Sequence, residues 1–567
     1  MALEPIKIWE LVDRAVCHKW SVPEFQRGFV WKATQVRDLA ESLWLDFPVG
    51  SLLLWNSETP QEERVAKDGL TPSLWIVDGQ QRTTALAIIF GRKPYWWASA
   101  DEWNKILKRY DIRFDVAAKN ESHFVVANAA IRKTKGDRYI PLSRLLVLDV
   151  SRESDQKALV NLAKDIKVQG LCDGMDAMEV YARLDRVRKI RDKDILSVTV
   201  NHELEDVVEI FSRLNSRGTR VTEADIYLGV VASKNPGWVR DEFLPFLSVL
   251  ADSGFHVDPN LLFQSLTAVG IKKVRYKEIN DSFWSRDQIE PAWKKCREGW
   301  KRTIHRFQVY GVLSDDPLPT QAALVTLVAL LDRFPEEGGF DSAFYWFVQA
   351  SRFQRYSGSS ATALEEDLKE VATASNLVEA VTGLLKRLAA TQPIEAEDFK
   401  RDYTDGKFWR FLLYLLVYKN GAQDWDEAGT RLGFDGKELL ADFRPQWHHI
   451  YPQKFLNKKV DAEKIDSLAN IAVIAPTINI RISNQDPMKY LDKYAISDEK
   501  LKQQFVEWNR SEMTVEKYGG FLDARAVRLA NESNKFLIGL SKYLPESYRP
   551  TVKASEGGNN GIKQSGG

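Results

Sequence analysis

Apolar positions in the first 95 residues fall into two spacings. In TQVRDLAESLWLD, Val36, Leu39 and Leu43 recur at helical intervals and predict a helix that Pro48 closes. SLLLW (Ser51 to Trp55) and LWIVDG (Leu74 to Gly79) are short apolar runs that predict buried strands. TTALAIIF follows the second run directly and predicts a helix. Between residues 100 and 200, DIRFDVAA and ILSVTVNHE read as strands and SDQKALVNLAKDIKV as a helix. From 204 to about 440 the spacing is mostly helical, in EDVVEIFSRLN, TQAALVTLVALLDRF, ALEEDLKEVATASNLVEAVTGLLKRLAA and FWRFLLYLLVYK. The character changes near 440. WHHIYPQKFL is followed by a polar stretch, the apolar SLANIAVIA and an Asn-rich stretch, and helical spacing returns after about 495. The tail SEGGNNGIKQSGG has the composition of a disordered segment.

Composition narrows the classes. With 567 residues, 44% hydrophobic and 28% charged, the chain can build several cores. Lys plus Arg equals Asp plus Glu at 79 each, so a polyanion partner would need a local basic surface, not a basic body. Cys17, Cys172 and Cys296 are scattered and odd in number, which excludes a disulfide framework or a thiolate zinc site of their own. The N-terminus lacks the apolar core of a signal peptide, and FLLYLLVY is well short of a bilayer span. A soluble, cytoplasmic protein with no membrane partner is expected.

Three N-terminal segments carry candidate chemistry. LWIVDGQQRTTALAIIF is a strand, a turn and a helix, with Asp78, Gly79, Gln80, Gln81 and Arg82 in the turn. A helix N-terminus presents unpaired N–H groups to an anion, Gly79 permits close approach, and Arg82 offers a fork of donors to phosphate. Asp78 suits a metal ion, a ribose hydroxyl or a water. In VPEFQRGFVW, Gln26 and Arg27 beside aromatic residues suit a base or a phosphate; packing at a domain edge explains the aromatics equally well. In FSRLNSRGTRVTEADIYLG, helix capping accounts for Thr222 but not for Asn215 or Arg217, which remain candidates. PEFQRGFVW, VDGQQRTTAL and FSRLNSRGTRVTEAD, in that order, resemble the N-terminal domain of GmrSD-type modification-dependent (type IV) restriction endonucleases. The resemblance covers roughly residues 5 to 235. It implies a ParB/sulfiredoxin-like nucleotide-binding fold, with Asp78, Gly79, Gln80, Gln81 and Arg82 on the nucleotide and Gln26 and Arg27 nearby.

A second constellation begins at QWHHIYPQKF, where His448 and His449 are adjacent; Asn470, Asn479 and Asn484 follow. An HNH nuclease arranges two strands and a helix around one divalent cation, with a His as general base on water. Neighbours on a strand face opposite sides, so the two histidines take distinct roles: His449 as base and His448 as metal ligand. Asn470 is the loop-fixing residue, Asn479 the preferred further ligand and Asn484 the alternate. HHIYPQ, then Asn470-Ile471, then Asn479 resembles the HNH domain of the same restriction family, over about residues 400 to 545. The sequence has Ala469 where that family often has Gly.

Lys294, Lys295, Arg297 and Lys301, interleaved with Trp293 and Trp300, form a candidate DNA-binding run, as does IKKVRYK; a solvated helix face explains either run too. The expected fold is α+β: a mixed α/β ParB/sulfiredoxin-like sensor domain (1–235), a mostly helical middle (236–400), an HNH ββα-metal core in a helical domain (401–550) and a disordered tail (551–567). Two domains joined in one chain resemble the single-polypeptide, SspE-like members. The expected activity is cleavage or nicking of modified or phage double-stranded DNA in defence, dependent on Mg²⁺ or Mn²⁺ and on GTP or another NTP. The alternatives are a nucleotide-sensing DNA-binding regulator without NTP turnover, and an NTP-independent HNH nickase. Homo-oligomerisation is left open.

Overall fold

A computed structural model of the chain describes all residues except 1, 25, 27, 58–71, 98, 119–122, 135, 173, 203–205, 208–209, 211–222, 336–338, 390–391, 426–428, 436–437, 441–442, 476–478, 480–481, 483–484 and 551–567. Arg27, Asn215, Arg217, Thr222, Asn484, the predicted tail and most of EDVVEIFSRLN therefore lie outside the described residues. The chain divides into two units, Met1–Leu244 and Pro245–Gly567.

In the first unit, strands β1 (Ala2–Lys7), β2 (Trp20–Ser21), β3 (Leu52–Trp55), β4 (Leu74–Asp78), β5 (Ile112–Asp115), β6 (Phe124–Val126), β7 (Tyr139–Pro141) and β8 (Asp194–Val200) form two sheets. The larger is mixed, in the order β1-β8-β3-β4-β2, and the smaller is antiparallel, in the order β6-β5-β7. The four strands expected from apolar runs are β3, β4, β5 and β8. Strand β1 was not expected, because ALEPIK is half polar and contains a proline. It is tolerated because β1 is an edge strand, where a missing N–H on the open side costs no ladder bond. Helices α1 (Ile8–Val16), α2 (Ala33–Trp44) and α3 (Gln80–Phe90) bury their apolar residues in one core with the sheet. In α1 the buried residues are Ile8, Leu11, Val12 and Ala15, one stripe of a 3.6-residue period. Helix α2 ends at Trp44, short of Pro48. Leu45 caps it and Asp46 turns left-handed, so the chain leaves the helix before the proline acts.

The second unit is mainly helical. Its helices Arg286–Val309, Ala323–Arg333 and Phe340–Arg352 bury Trp293, Trp300 and Trp346. The expected continuous helix from Ala363 onward is instead two, Ser360–Thr373 and Leu377–Leu385. Asn376 restarts the second by accepting from the Glu379 N–H, so an Asn cap rather than Gly or Pro breaks the run. Two short strands, β9 (Phe434–Asp435) and β10 (Glu438–Leu439), form one pair. Strands β11 (Gln446–His449) and β12 (Ile471–Ile474) form another, antiparallel, with His448 opposite Ala472 and His449 opposite Ile471. Helix Tyr518–Leu540 packs against Phe340–Arg352 and Lys407–Lys419, joining the helical middle to the C-terminal segments in one body. The architecture is α+β. Among the described residues no helix is long and apolar enough to cross a membrane.

Candidate functional site

The N-terminal turn joins β4 to α3 at Gly79, whose φ of 97° lies in the left-handed region. A Cβ there would also stand 2.2 Å from Leu52 Cδ2 on the neighbouring strand β3. Both the backbone and the sheet demand glycine. Gly79→Ala is expected to cost about 1–3 kcal/mol of folding free energy, read as a lowered calorimetric Tm. No side chain caps α3 and its first turn carries no acid, so its N-terminus keeps an anion-attracting character.

The polar residues of the turn are engaged with the protein. Arg82 pairs with Asp78 at 3.0 Å and donates to the Val49 carbonyl at 2.8 Å. Gln81 holds the preceding loop from both ends of its amide: it donates to Gly28 O at 2.9 Å and accepts from Val30 N–H at 2.9 Å. Buried Gln26 donates to Val77 O at 2.8 Å, and buried Gln80 accepts from Gln81 at 3.0 Å. The structure thus brings Gln26 and the DGQQR turn together, tying PEFQRGFVW to the head of α3.

The second candidate centre is built on β11 and β12. His448 is 3% exposed and lies edge-on to the rings of Trp425 and Tyr490. Its Nδ1 is 2.9 Å from Asn479 Oδ1, and its buried Nε2 has no partner among the described residues. Burial pushes its pKa down to about 4, so the ring is neutral near pH 7 and keeps a lone pair. His449 faces the other way. Its Nε2 is 2.8 Å from Asp466 Oδ1, and the Tyr403 ring stands edge-on to it at 5.3 Å. Burial lowers its pKa and the Asp466 carboxylate opposes that shift. Gln453 Nε2 donates to the same Asp466 oxygen at 2.7 Å, fixing the carboxylate.

Asn470 is fully buried and clamps the intervening loop. It donates to Tyr451 O and Ile465 O, both at 3.0 Å, and accepts from Tyr451 N–H at 2.9 Å. Behind the loop, Arg525 on Tyr518–Leu540 is 3% exposed and donates to Ala469 O (2.7 Å), Ile471 O (2.8 Å) and Gln504 O (3.0 Å). Burial without a carboxylate partner lowers its pKa to about 9. Gln504 pairs with Val473 as a further strand would, donating to its carbonyl at 2.6 Å and accepting from its N–H at 3.0 Å. Tyr490 Oη donates to Ile450 O at 2.7 Å.

Sequence reasoning did not single out Asp466, Gln453, Arg525, Gln504 or Tyr490. Each reaches the strands through tertiary packing, and no local spacing marks it.

As to the basic runs, Lys294 and Lys295 are exposed, Arg297 lies over Trp293, and Lys301 pairs with Glu298 at 3.0 Å. In IKKVRYK, Arg275 pairs with Glu365 at 2.6 Å and Lys272 donates to Val269 O. Cys17, Cys172 and Cys296 form no disulfide, and the last two are buried.

Over 534 aligned residues the chain is 22% identical to an uncharacterized protein of Methanocaldococcus jannaschii, with 85% of each chain covered. Its N-terminal part is also similar to a known domain family. Residues 8–231, which contain the DGQQR turn and the loop tied to it, match the GmrSD restriction endonuclease, N-terminal domain.

Proposed function

We propose that the chain is a divalent-metal-dependent DNA endonuclease of anti-phage defence, with an HNH centre at His448, His449, Asn470 and Asn479 governed by a nucleotide-binding, ParB/sulfiredoxin-like N-terminal domain. The observation that carries the reading is that the adjacent His448 and His449 of strand β11 hold Asn479 and Asp466 respectively. The GmrSD-type N-terminal match supports a restriction role.

The residues fit a hard divalent cation. His448 brings a neutral imidazole nitrogen and Asn479 an amide oxygen, with Nδ1 and Oδ1 2.9 Å apart, close enough to share one cation. Among the described residues no group of three His, Cys, Asp or Glu side chains could hold a metal. A two-ligand centre that leaves the remaining positions to water and phosphate oxygens suits Mg²⁺ or Mn²⁺ better than Zn²⁺. When bound, the cation would supply charge stabilisation to the phosphorane and the leaving oxygen.

The protein's own part is proton transfer and positioning. With Asp466 ionised, His449 Nε2–H donates to it, which leaves Nδ1 as the basic atom. His449 Nδ1 then takes the proton of the attacking water. Asp466 stabilises the imidazolium that results, and Gln453 keeps the carboxylate in place. Asn470 clamps the chain that follows the base, at Tyr451.

Plasmid DNA, unmodified or bearing phosphorothioate or modified cytosine, tests the proposal with Mg²⁺, Mn²⁺ or EDTA and with or without NTPs. Metal-dependent nicking or cutting of at least one substrate, abolished by EDTA, is expected. Absence of product on every substrate and metal overturns it. A second reading is favoured by the engaged turn. Asp78, Gln81 and Arg82 all hold protein partners, an arrangement that suits nucleotide sensing without turnover. NTP-stimulated cleavage with no phosphate release would select that reading.

A further inference from the structure

Strand β11 has two unlike faces. His448 is buried against Trp425 and Tyr490, while Trp447 and His449, two residues apart, share the other face and are partly exposed. The chain before helix Lys407–Lys419 is tied to the same place. Arg401 O accepts from Leu468 N–H at 2.9 Å and Tyr403 N–H donates to Asp466 O at 2.8 Å, which sets the Tyr403 ring edge-on to His449. The first turn of that helix then brings Arg410 over the Trp447 ring, with the guanidinium carbon 5.7 Å from its centre.

Arg410 differs from other partly exposed arginines of this unit. Arg401 holds Asp398, and Arg355 holds Glu366 and Asp367. Arg410 makes no hydrogen bond and no ion pair among the described residues. The ring orients the guanidinium by cation–π attraction, which takes up none of its N–H donors. The planar fork is therefore left for a ligand, in the geometry that two phosphate oxygens accept from.

The charge around the base calls for such a group. Asp466 pairs with His449, and Asp402 also acts on the imidazole. The Asp402 carboxylate accepts from Thr404, at 2.8 Å from the N–H and 2.7 Å from the hydroxyl, but these neutral donors do not cancel its charge. A phosphodiester brought to His449 would therefore meet two carboxylates. Burial, Asp466 and Asp402 push the Tyr403 phenol up and Arg410 pulls it back, which places the arginine in the same electrostatic neighbourhood.

We propose that Arg410 binds the backbone phosphate that DNA presents to His449, with Trp447 positioning the guanidinium, and that it offsets the charge of Asp402 and Asp466. The inference rests on the nuclease reading. It adds the side from which the substrate is held: the face of β11 that carries Trp447 and His449.

Binding is measured on the full chain carrying His449→Ala, in EDTA, so that cleavage does not enter. The probe is a short labelled DNA duplex, followed by anisotropy over a range of salt concentrations. Arg410→Ala is expected to weaken binding about tenfold, as for a lost hydrogen bond to a charged group, and to lower the salt slope by about one phosphate contact. Arg410→Lys should keep the slope, because the charge remains, and lose part of the affinity with the fork. Trp447→Leu should weaken binding in the presence of Arg410 and add little once Arg410 is alanine, the coupling expected of a positioning residue. Unchanged affinity and salt slope in Arg410→Ala overturn the proposal, and plasmid cleavage by the wild type would then leave the nuclease reading standing. Weaker binding with an unchanged slope also overturns it, because no phosphate contact was lost. A wild-type chain that neither binds nor cuts any duplex overturns both.

Discussion

His449→Ala is expected to lower phosphodiester cleavage by about 10²–10⁴-fold, the usual contribution of a positioned general base, with little change in Tm. The imidazole is held by Asp466 and the Tyr403 ring, not packed at the bottom of a core, so its loss removes chemistry more than stability. Single-turnover cleavage at saturating metal is the measurement. Asp466→Asn sharpens it. An amide can present N–H to His449 Nε2, which would move the ring proton to Nδ1 and remove the basic atom from the side facing substrate. That variant should therefore lose kcat with KM preserved. A His449→Ala enzyme that cuts at the wild-type rate would eliminate this residue as the base.

Arg525→Met should cost about 3–5 kcal/mol, because several buried carbonyls lose their donor at about 1–3 kcal/mol each. Methionine matches much of the volume but donates nothing. The Ala469, Ile471 and Gln504 carbonyls would then be left short of a donor inside the protein. The damage falls on the loop that carries Asn470, so cleavage should fail at temperatures where the chain is still folded. Thermal unfolding followed by calorimetry, beside cleavage at 20 °C and 37 °C, separates the two effects. An unchanged Tm would show that these carbonyls find other donors.

What the sequence made legible was local. A strand, a glycine and a helix in eleven residues are readable from LWIVDGQQRTT, because the turn must be made there. The adjacency of His448 and His449 forces divergent partners through strand alternation alone, and the structure gives them Asn479 and Asp466. That Leu52 leaves no room for a Cβ at position 79 was not readable, since it depends on strand order. Nor was Arg525, which reaches back 56 residues to Ala469. The restart at Asn376 was hidden because Ala-Ser-Asn does not interrupt an apolar period as Gly or Pro would. In the first unit the DGQQR side chains proved to be tied to the protein's own loop, which residue type could not reveal.

Strand β1 has a consequence for biosynthesis. It pairs with β8 along its whole length, Ala2 opposite Thr199 and Lys7 opposite Asp194. Strand β3 also lies against β8, in parallel. The sheet therefore lacks its connecting strand until about 200 residues have left the ribosome. Long-range pairing of this kind is slow and leaves strand edges open meanwhile. The nascent chain must carry the apolar face of α1 and the edge of β3 unpaired through that interval. Ribosome-bound fragments ending before β8 should accordingly be sensitive to protease and engage chaperones, and those that include it should not.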